Sequence, residues 1–150
     1  MTDNAKHAVT LSAPGAGESF SAMDERMIIH AQFEGWTAFE MHFGTEVKVP
    51  PHLHPWAEVY FALSGGLNMM VDGVEYQVPA GTLISIPGGV AHQPRGPAAE
   101  DTRMLVLMGP GSDPQMFREL SAVTANGVVD QEQVLPILKR FGVQPIGPSD

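Results

Sequence analysis

The feature that most constrains the fold is a succession of short apolar runs separated by turns that contain glycine or proline. The runs cover residues 27–33, 36–43, 58–63, 67–71, 74–78, 82–86 and 104–108. Glycine and proline, which occur 16 and 13 times among 150 residues, stand between them. Short apolar runs with turn residues between them are typical of β-sandwiches and barrels. The sequence therefore predicts an all-β fold.

One turn can be specified in more detail. Asp72 and Gly73 lie between the runs 67–71 and 74–78. An Asp-Gly pair between two strands favours a two-residue type I′ turn, because both central residues of that turn need a positive φ. The sequence predicts a β-hairpin over residues 67–78.

Composition divides the chain into three segments. Residues 1–25 are small and polar, are interrupted by Pro14 and Gly15, and lack a hydrophobic period, so they are predicted as an N-terminal arm. Residues 26–109 hold the apolar runs and are predicted as the barrel. After residue 109 the pattern changes, and residues 110–150 are predicted as a C-terminal helical extension.

The extension is expected to contain one or two short helices, packed on the barrel as a lid or brace. Asp113 and Pro114 suit the N-cap and first position of the first helix, and the second helix is predicted to run from Asp130 to a stop at Gly142. Pro136 falls inside the second helix and predicts a kink or a later start. The predicted apolar faces comprise Met116, Phe117 and Leu120, and then Val134, Leu135, Ile137 and Leu138.

Charge and cysteine content exclude several classes of function. The chain has no cysteine, so disulfides, thiolate metal sites and cysteine nucleophiles are excluded, and a metal would need histidine and carboxylate ligands. A net charge of −9 argues against nucleic-acid and anionic-membrane partners. No apolar segment resembles a membrane span or a signal peptide, so we expect a cytoplasmic protein that binds a small molecule.

Four residues have the spacing of metal ligands. His52 and His54 lie two residues apart, so in a strand they point to the same side. A turn through residues 55–57 would bring Glu58 back toward the pair, and His92 follows a Pro-Gly-Gly turn that ends another strand. For the histidine pair alone, a solvent-facing strand edge is an equal interpretation. His92 in its glycine-rich frame favours the metal site.

These residues resemble the two sequence motifs of the cupin superfamily. The first motif appears as His52-x-His54-x3-Glu58-x6-Gly65, and the second as Gly81-x5-Pro87-x-Gly89-x2-His92. Two departures are visible. The stretch from Gly44 to His52 is two residues longer than the consensus, which predicts a bulge or a longer loop. Gly96 stands where the second motif ends in Asn.

The resemblance implies a small single-domain cupin of the bacterial type, folded as a double-stranded β-helix, the jelly-roll barrel. It implies one divalent transition metal per chain, held by His52, His54, Glu58 and His92. Such a ligand set leaves two coordination positions free. Ligand type does not choose among Fe, Mn, Ni, Cu, Co and Zn. His7, His30 and His42 lack a motif frame and are expected on the surface or behind the ligands.

Several functions are compatible with such a centre. The leading hypothesis is a dioxygenase for an oxygenated aromatic or diketone-like substrate, because the C-terminal tail is similar to those of small cupins grouped with quercetin dioxygenases. The alternatives are a non-redox lyase, isomerase or cyclase, and a cupin that binds a small molecule without turnover. Glu58 and Tyr60 are the candidate catalytic residues, although Tyr60 also suits barrel packing. A homodimer is expected, since apolar strand runs suggest cover on both faces.

Overall fold

A computed structural model describes residues 9–23, 25–96, 98–124 and 126–147. Within these ranges the chain forms eleven strands and two helices. The strands are β1 (Glu18–Ala22), β2 (Glu25–Phe33), β3 (Trp36–Phe43), β4 (His52–Leu53), β5 (Glu58–Ser64), β6 (Gly66–Val71), β7 (Val74–Pro79), β8 (Leu83–Ile86), β9 (His92–Arg95), β10 (Thr102–Met108) and β11 (Gln144–Pro145). The helices are α1 (Gln115–Thr124) and α2 (Gln131–Arg140). Every predicted apolar run coincides with a strand.

The strands form two antiparallel sheets. Sheet I has the order β1-β2-β3-β10-β5-β8, and sheet II has the order β11-β4-β9-β6-β7. Neighbours that are distant in sequence, such as β3 with β10 and β6 with β9, show that the chain crosses repeatedly between the sheets. This arrangement is a jelly-roll barrel, and the predicted all-β fold class is confirmed.

The predicted hairpin is confirmed in its turn type. Val71 pairs with Val74 across a loop of two residues. Asp72 has a φ of 48° and Gly73 a φ of 81°, the two positive values that a type I′ turn requires.

Sheet I begins earlier than the predicted barrel. Strand β1 lies within the segment predicted as an arm, and it pairs with β2 from Glu18 opposite Ile29 to Ala22 opposite Glu25. The first sheet therefore starts before residue 26. At the other end, β11 returns from the helical extension to pair with β4.

The barrel core follows the two-residue period of the strands. Phe39 and Met41 on β3 face Val106 and Met104 on β10, and all four are buried. On β5, Tyr60 and Ala62 are buried, whereas Val59 and Phe61 are only partly buried. Alternation along β5 is therefore present, although the sequence there reads as a continuous apolar run.

Both helices begin where the sequence predicts. The Asp113 side chain accepts a hydrogen bond from the backbone N–H of Gln115, and the Asp130 side chain accepts one from Glu132. Pro136 lies within α2, and the later start is not observed. The predicted apolar face was wrong at Leu135, which is 43% exposed, because the helix turns Val134, Ile137 and Leu138 toward the barrel instead. No helix in the described ranges is long and apolar enough to cross a membrane.

The two departures from the motifs, the longer stretch before His52 and the glycine at position 96, lie next to each other in the fold. The longer connection forms a loop between β3 and β4, as expected. A Cβ at Gly96 would lie 3.0 Å from the carbonyl oxygen of Thr45 and 3.4 Å from the amide nitrogen of Val47, both in that loop. The longer loop thus occupies space that a larger residue at position 96 would need.

Candidate metal centre

The four predicted ligands come together from both sheets. His52 lies on β4 directly opposite His92, the first residue of β9, and both strands belong to sheet II. Glu58 is the first residue of β5 in sheet I, and His54 lies in the short connection between β4 and β5. The chain therefore changes sheets between His54 and Glu58, and that crossing brings the carboxylate to the imidazoles.

The ligand atoms form one compact group. One nitrogen from each histidine and one oxygen of Glu58 all lie within 4.8 Å of one another. Nε2 of His54 is 2.8 Å from Oε2 of Glu58, and Nε2 of His92 is 3.1 Å from the same oxygen. His54, Glu58 and His92 are buried, and His52 is partly buried.

Backbone carbonyls orient all three imidazoles. Nδ1 of His52 donates to the carbonyl of Pro50 at 2.8 Å, and Nδ1 of His92 donates to Val90 at 2.9 Å. Nδ1 of His54 donates to Trp56 at 2.9 Å. With Nδ1 engaged behind the ring, Nε2 of each histidine faces the centre of the group, where it can donate to the Glu58 carboxylate when protonated or offer a lone pair to a metal when deprotonated. Such hydrogen bonds behind the ligands are the usual support of metal-binding histidines.

The electrostatics of the group favour an ionised carboxylate. Burial opposes ionisation of Glu58, but hydrogen bonds from His54 and His92 outweigh it and hold its pKa well below the usual range. Burial and the neighbouring His92 lower the pKa of His52 to about 4. Burial would also lower the pKa of His92, but its hydrogen bond to Glu58 raises it. A divalent cation competes with protons for these same lone pairs.

The donor set fits a first-row divalent metal. Three neutral imidazoles and one carboxylate suit several transition metals, and the set contains no soft sulfur ligand. Burial of a lone carboxylate among imidazoles is costly without a compensating charge, which a bound cation supplies. His52, His54, Glu58 and His92 thus form a cluster that can hold a metal.

A cavity of about 100 Å³ adjoins the cluster. Its wall includes His52, His54 and Glu58 of the cluster, and it is otherwise mostly apolar. Residues of the C-terminal extension form part of this wall, namely Met116, Phe117, Leu120, Leu138, Val143 and Pro145. The ring of Phe117 packs on Phe39 with centroids 5.2 Å apart. The two helices therefore cover the side of the barrel that contains the cluster.

Sequence reasoning missed these contributions to the site. Helical spacing identified Met116, Phe117 and Leu120 as an apolar face, but nothing local showed which cavity that face would cover. Trp56 was missed as well. It stacks on His54 with ring centroids 4.4 Å apart and an interplanar angle of 8°. The sequence signal that could have identified Trp56 as part of the site was its position between two predicted ligands, His54 and Glu58.

Tyr60 lies beside the cluster. It is 3% exposed and lines the cavity together with Glu58, two residues before it on the same side of β5. Burial and the charge of Glu58 raise the pKa of its phenol well above the ordinary value. The phenol is therefore protonated at neutral pH.

The histidines outside the motifs have a separate network. Nε2 of His30 contacts Glu40 at 2.6 Å, and Arg103 donates to the same carboxylate at 2.6 Å. Nε2 of His42 lies 3.5 Å from Oε1 of Glu40, the oxygen that accepts from Arg103. This network is on the outer face of sheet I and does not reach the cavity. His7 lies outside the described residues.

The turn before His92 packs tightly on the connection that carries His54. The backbone N–H of Gly89 donates to the carbonyl of His54 at 2.8 Å. A Cβ at Gly88 would lie only 2.1 Å from the carbonyl oxygen of Pro55. Close approach of these two backbones thus requires glycine at position 88.

Comparison with known proteins supports this description. An uncharacterised protein of Streptomyces coelicolor is 35% identical over 72 residues, a match that spans 48% of this chain and 66% of the relative. An RmlC-like cupin from Shewanella frigidimarina aligns with a TM-score of 0.62 at 18% identity, covering 69% of this chain and 92% of that chain.

Two further solved structures share the fold. A Streptomyces nucleoside dehydratase, solved with uridine, gives a TM-score of 0.60 at 13% identity, covering 72% of this chain and 87% of that chain. The polyketide cyclase RemF from Streptomyces resistomycificus gives 0.60 at 18% identity, with coverage of 68% and 80%. The sequence profile of the family described as "Cupin domain" matches residues 39–108. Profile, fold and motifs agree, and residues 39–108 form a domain of the cupin superfamily.

Proposed function

We propose that this protein is a metal-dependent enzyme for a small, largely apolar, oxygen-bearing substrate. The observation that carries the proposal is the buried cluster in which every imidazole is oriented by a carbonyl behind it. His52, His54, Glu58 and His92 would hold one divalent transition metal. When bound, such a metal supplies Lewis acidity and, if it is redox-active, access to dioxygen chemistry.

Within that class, we infer a dioxygenase acting on an oxygenated aromatic or diketone-like compound. The cavity supports an apolar substrate, since apolar side chains, among them five methionines and two phenylalanines, form most of its wall. Its volume favours a compact one, because an engineered cavity of about 150 Å³ holds a benzene molecule. The helical cover excludes bulk water, and Glu58 is placed to accept a proton from a substrate bound beside it.

A non-redox lyase, isomerase or cyclase is the second candidate. The observation in its favour is Tyr60, a protonated phenol that shares the cavity wall with the ionised Glu58. An acid and a base side by side can move a proton without an oxidant. The third candidate, binding without turnover, uses the same cavity.

Metal content tests the main proposal. Elemental mass spectrometry on untagged protein, purified without chelator, should find about one transition metal per chain. His52→Ala and His92→Ala should lose it, because each removes one of four ligands. His42→Ala, which removes a histidine outside the cluster, should retain it. A wild type that stays metal-free after reconstitution, or equal loss in all three variants, would contradict the proposal.

Oxygen dependence separates the candidates. The metal-loaded protein should be assayed with a panel of 1,3-diketones and catechols under air and under argon. Turnover under air alone supports the dioxygenase, and equal turnover under both supports the non-redox candidate. In the latter case Tyr60→Phe should abolish turnover while metal content stays unchanged. Ligand binding without product in either atmosphere supports the binding role.

Three expectations from the sequence stay predictions. Cytoplasmic localisation and the lack of nucleic-acid and membrane partners rest on composition alone. The homodimer gains support from Phe61, Leu63 and Leu83 on the outer face of sheet I, of which Leu63 is 40% and Leu83 57% exposed. Light scattering that gives the mass of a single 16.1 kDa chain would exclude the dimer.

A further inference from the structure

The indole N–H of Trp56 is a buried hydrogen-bond donor that is unused among the described residues. The residue is 4% exposed, and within the part of the chain that the structure describes its indole Nε1–H has no hydrogen-bond partner. Buried polar groups in folded proteins almost always have a partner, and leaving one unsatisfied is destabilising. The indole N–H is therefore available to a molecule bound beside it.

Trp56 packs between His54 and the chain that follows α2. Its ring stacks flat on His54, and its own carbonyl accepts the Nδ1–H of that histidine at 2.9 Å. Cζ3, in the six-membered ring of the indole, lies 3.8 Å from the position that a Cβ at Gly142 would occupy. The buried ring thus has a metal-ligand candidate on one face and the chain after α2 near its six-membered ring.

Trp56 is also part of the cavity wall. The residues of that wall with polar side chains are His52, His54, Trp56, Glu58 and Tyr60. Three of these belong to the metal cluster, and the phenol of Tyr60 interacts with Glu58. Among the polar side chains of this wall, that of Trp56 is the one whose polar atom is committed neither to the cluster nor to another side chain.

We propose that Nε1–H of Trp56 donates a hydrogen bond to an oxygen of the substrate. The site would then select compact apolar molecules that carry a carbonyl or hydroxyl oxygen away from the part that faces the metal. The mostly apolar cavity wall strengthens this selection, because a ligand without an acceptor leaves the N–H unpaired. The inference rests on the proposed function in that it takes the cavity as the substrate site.

The test compares two probes of the same shape. Cyclopentanone carries an acceptor oxygen, and methylenecyclopentane replaces that oxygen with a CH₂ group. Both are titrated into ¹⁵N-labelled protein, whose two tryptophans give two indole N–H resonances, assigned with Trp56→Phe and Trp36→Phe. We expect cyclopentanone to bind about tenfold more tightly than the hydrocarbon and to move the Trp56 indole proton downfield.

The variants provide the control. Trp56→Phe should abolish the preference for the ketone, whereas Trp36→Phe should keep it. Equal binding of the two probes, no binding of either at millimolar concentration, an unmoved Trp56 resonance, or a trapped water that the ketone does not displace would each overturn the inference.

The titration is run on metal-free and on zinc-loaded protein. A ketone preference in a protein that binds no metal would refute the proposed function and leave the role of Trp56 intact. Loss of the preference in a protein that does bind metal would refute the role of Trp56 alone.

Discussion

Substitution of Gly88 by alanine tests how the metal centre is assembled. Gly88 lies in the turn before His92, and the turn packs on the backbone of Pro55 and Trp56 between His54 and Glu58. The added Cβ would lie 2.1 Å from the carbonyl oxygen of Pro55 and 2.9 Å from its carbonyl carbon. Ordinary van der Waals contact begins at 3.4 Å, so the turn at Gly88 or the backbone at Pro55 must move away by about 1.3 Å.

Both backbone segments carry metal-ligand candidates, so this displacement should lower both the stability of the fold and the affinity for metal. Overpacking of this kind costs about 1–3 kcal/mol, which lowers the Tm by roughly 3–10 °C for a domain of this size. The displacement also separates His92 from His54 and Glu58. Disturbing the support of metal ligands weakens affinity about 10- to 100-fold, and we expect a loss in that range.

Gly89→Ala is the matched control. It lies in the same turn, and no atom lies within 4 Å of its Cβ position, but its φ is +79°. It should therefore lose about 1–2 kcal/mol through backbone strain and keep the metal affinity of the wild type. Thermal unfolding and competition with a metal-sensitive dye measure the two effects. If Gly88→Ala matches the wild type in Tm and metal affinity, the close approach of the two backbones does not hold the centre together.

Three further predictions concern the frame around the site. Burial opposes ionisation of Glu40, but hydrogen bonds from Arg103 and His30 outweigh it and lower the pKa of the carboxylate. The ionised carboxylate therefore stabilises the fold above the ordinary pKa of a glutamate, and this stabilisation is lost as the pH falls through the lowered pKa. Glu40→Gln should be less stable at neutral pH and lose less stability on acidification, as measured by unfolding between neutral pH and about pH 3. Asp130→Ala removes the N-cap of α2 and should cost about 1 kcal/mol in urea unfolding, whereas Asp130→Asn should cost less. Gly96→Asn introduces the residue of the family motif and should destabilise this chain, because its Cβ would lie 3.0 Å from the Thr45 carbonyl oxygen. Unchanged urea unfolding would show that the longer loop moves to accommodate the side chain.

Local pattern was enough for the elements whose causes are local. Short apolar runs bounded by glycine and proline located seven of the eleven strands of the described residues, because such runs are typical of strands in β-barrels. Asp72 and Gly73 specified the hairpin turn through their own backbone preferences. The four ligand candidates were found because two short motifs fix their spacing, and the structure places their ligand atoms within 4.8 Å of one another.

Tertiary packing decided what those motifs do not encode. Strand β1 forms because β2 offers it a free edge, although its own sequence has no clear hydrophobic period. Leu135 is exposed because the orientation of α2 on the barrel, and not its helical spacing, determines which side is buried.

The same holds for the cavity. Phe117 comes to cover a site whose ligand candidates, His52 to His92, lie 25 to 65 positions earlier in the chain. The Trp56 donor, which has no partner among the described residues, is buried there only by packing. Contacts between distant segments depend on the shape of the whole barrel. The sequence by itself therefore determined the fold class and the ligand candidates. The tertiary structure decided the size and lining of the cavity beside them and the burial of the Trp56 N–H.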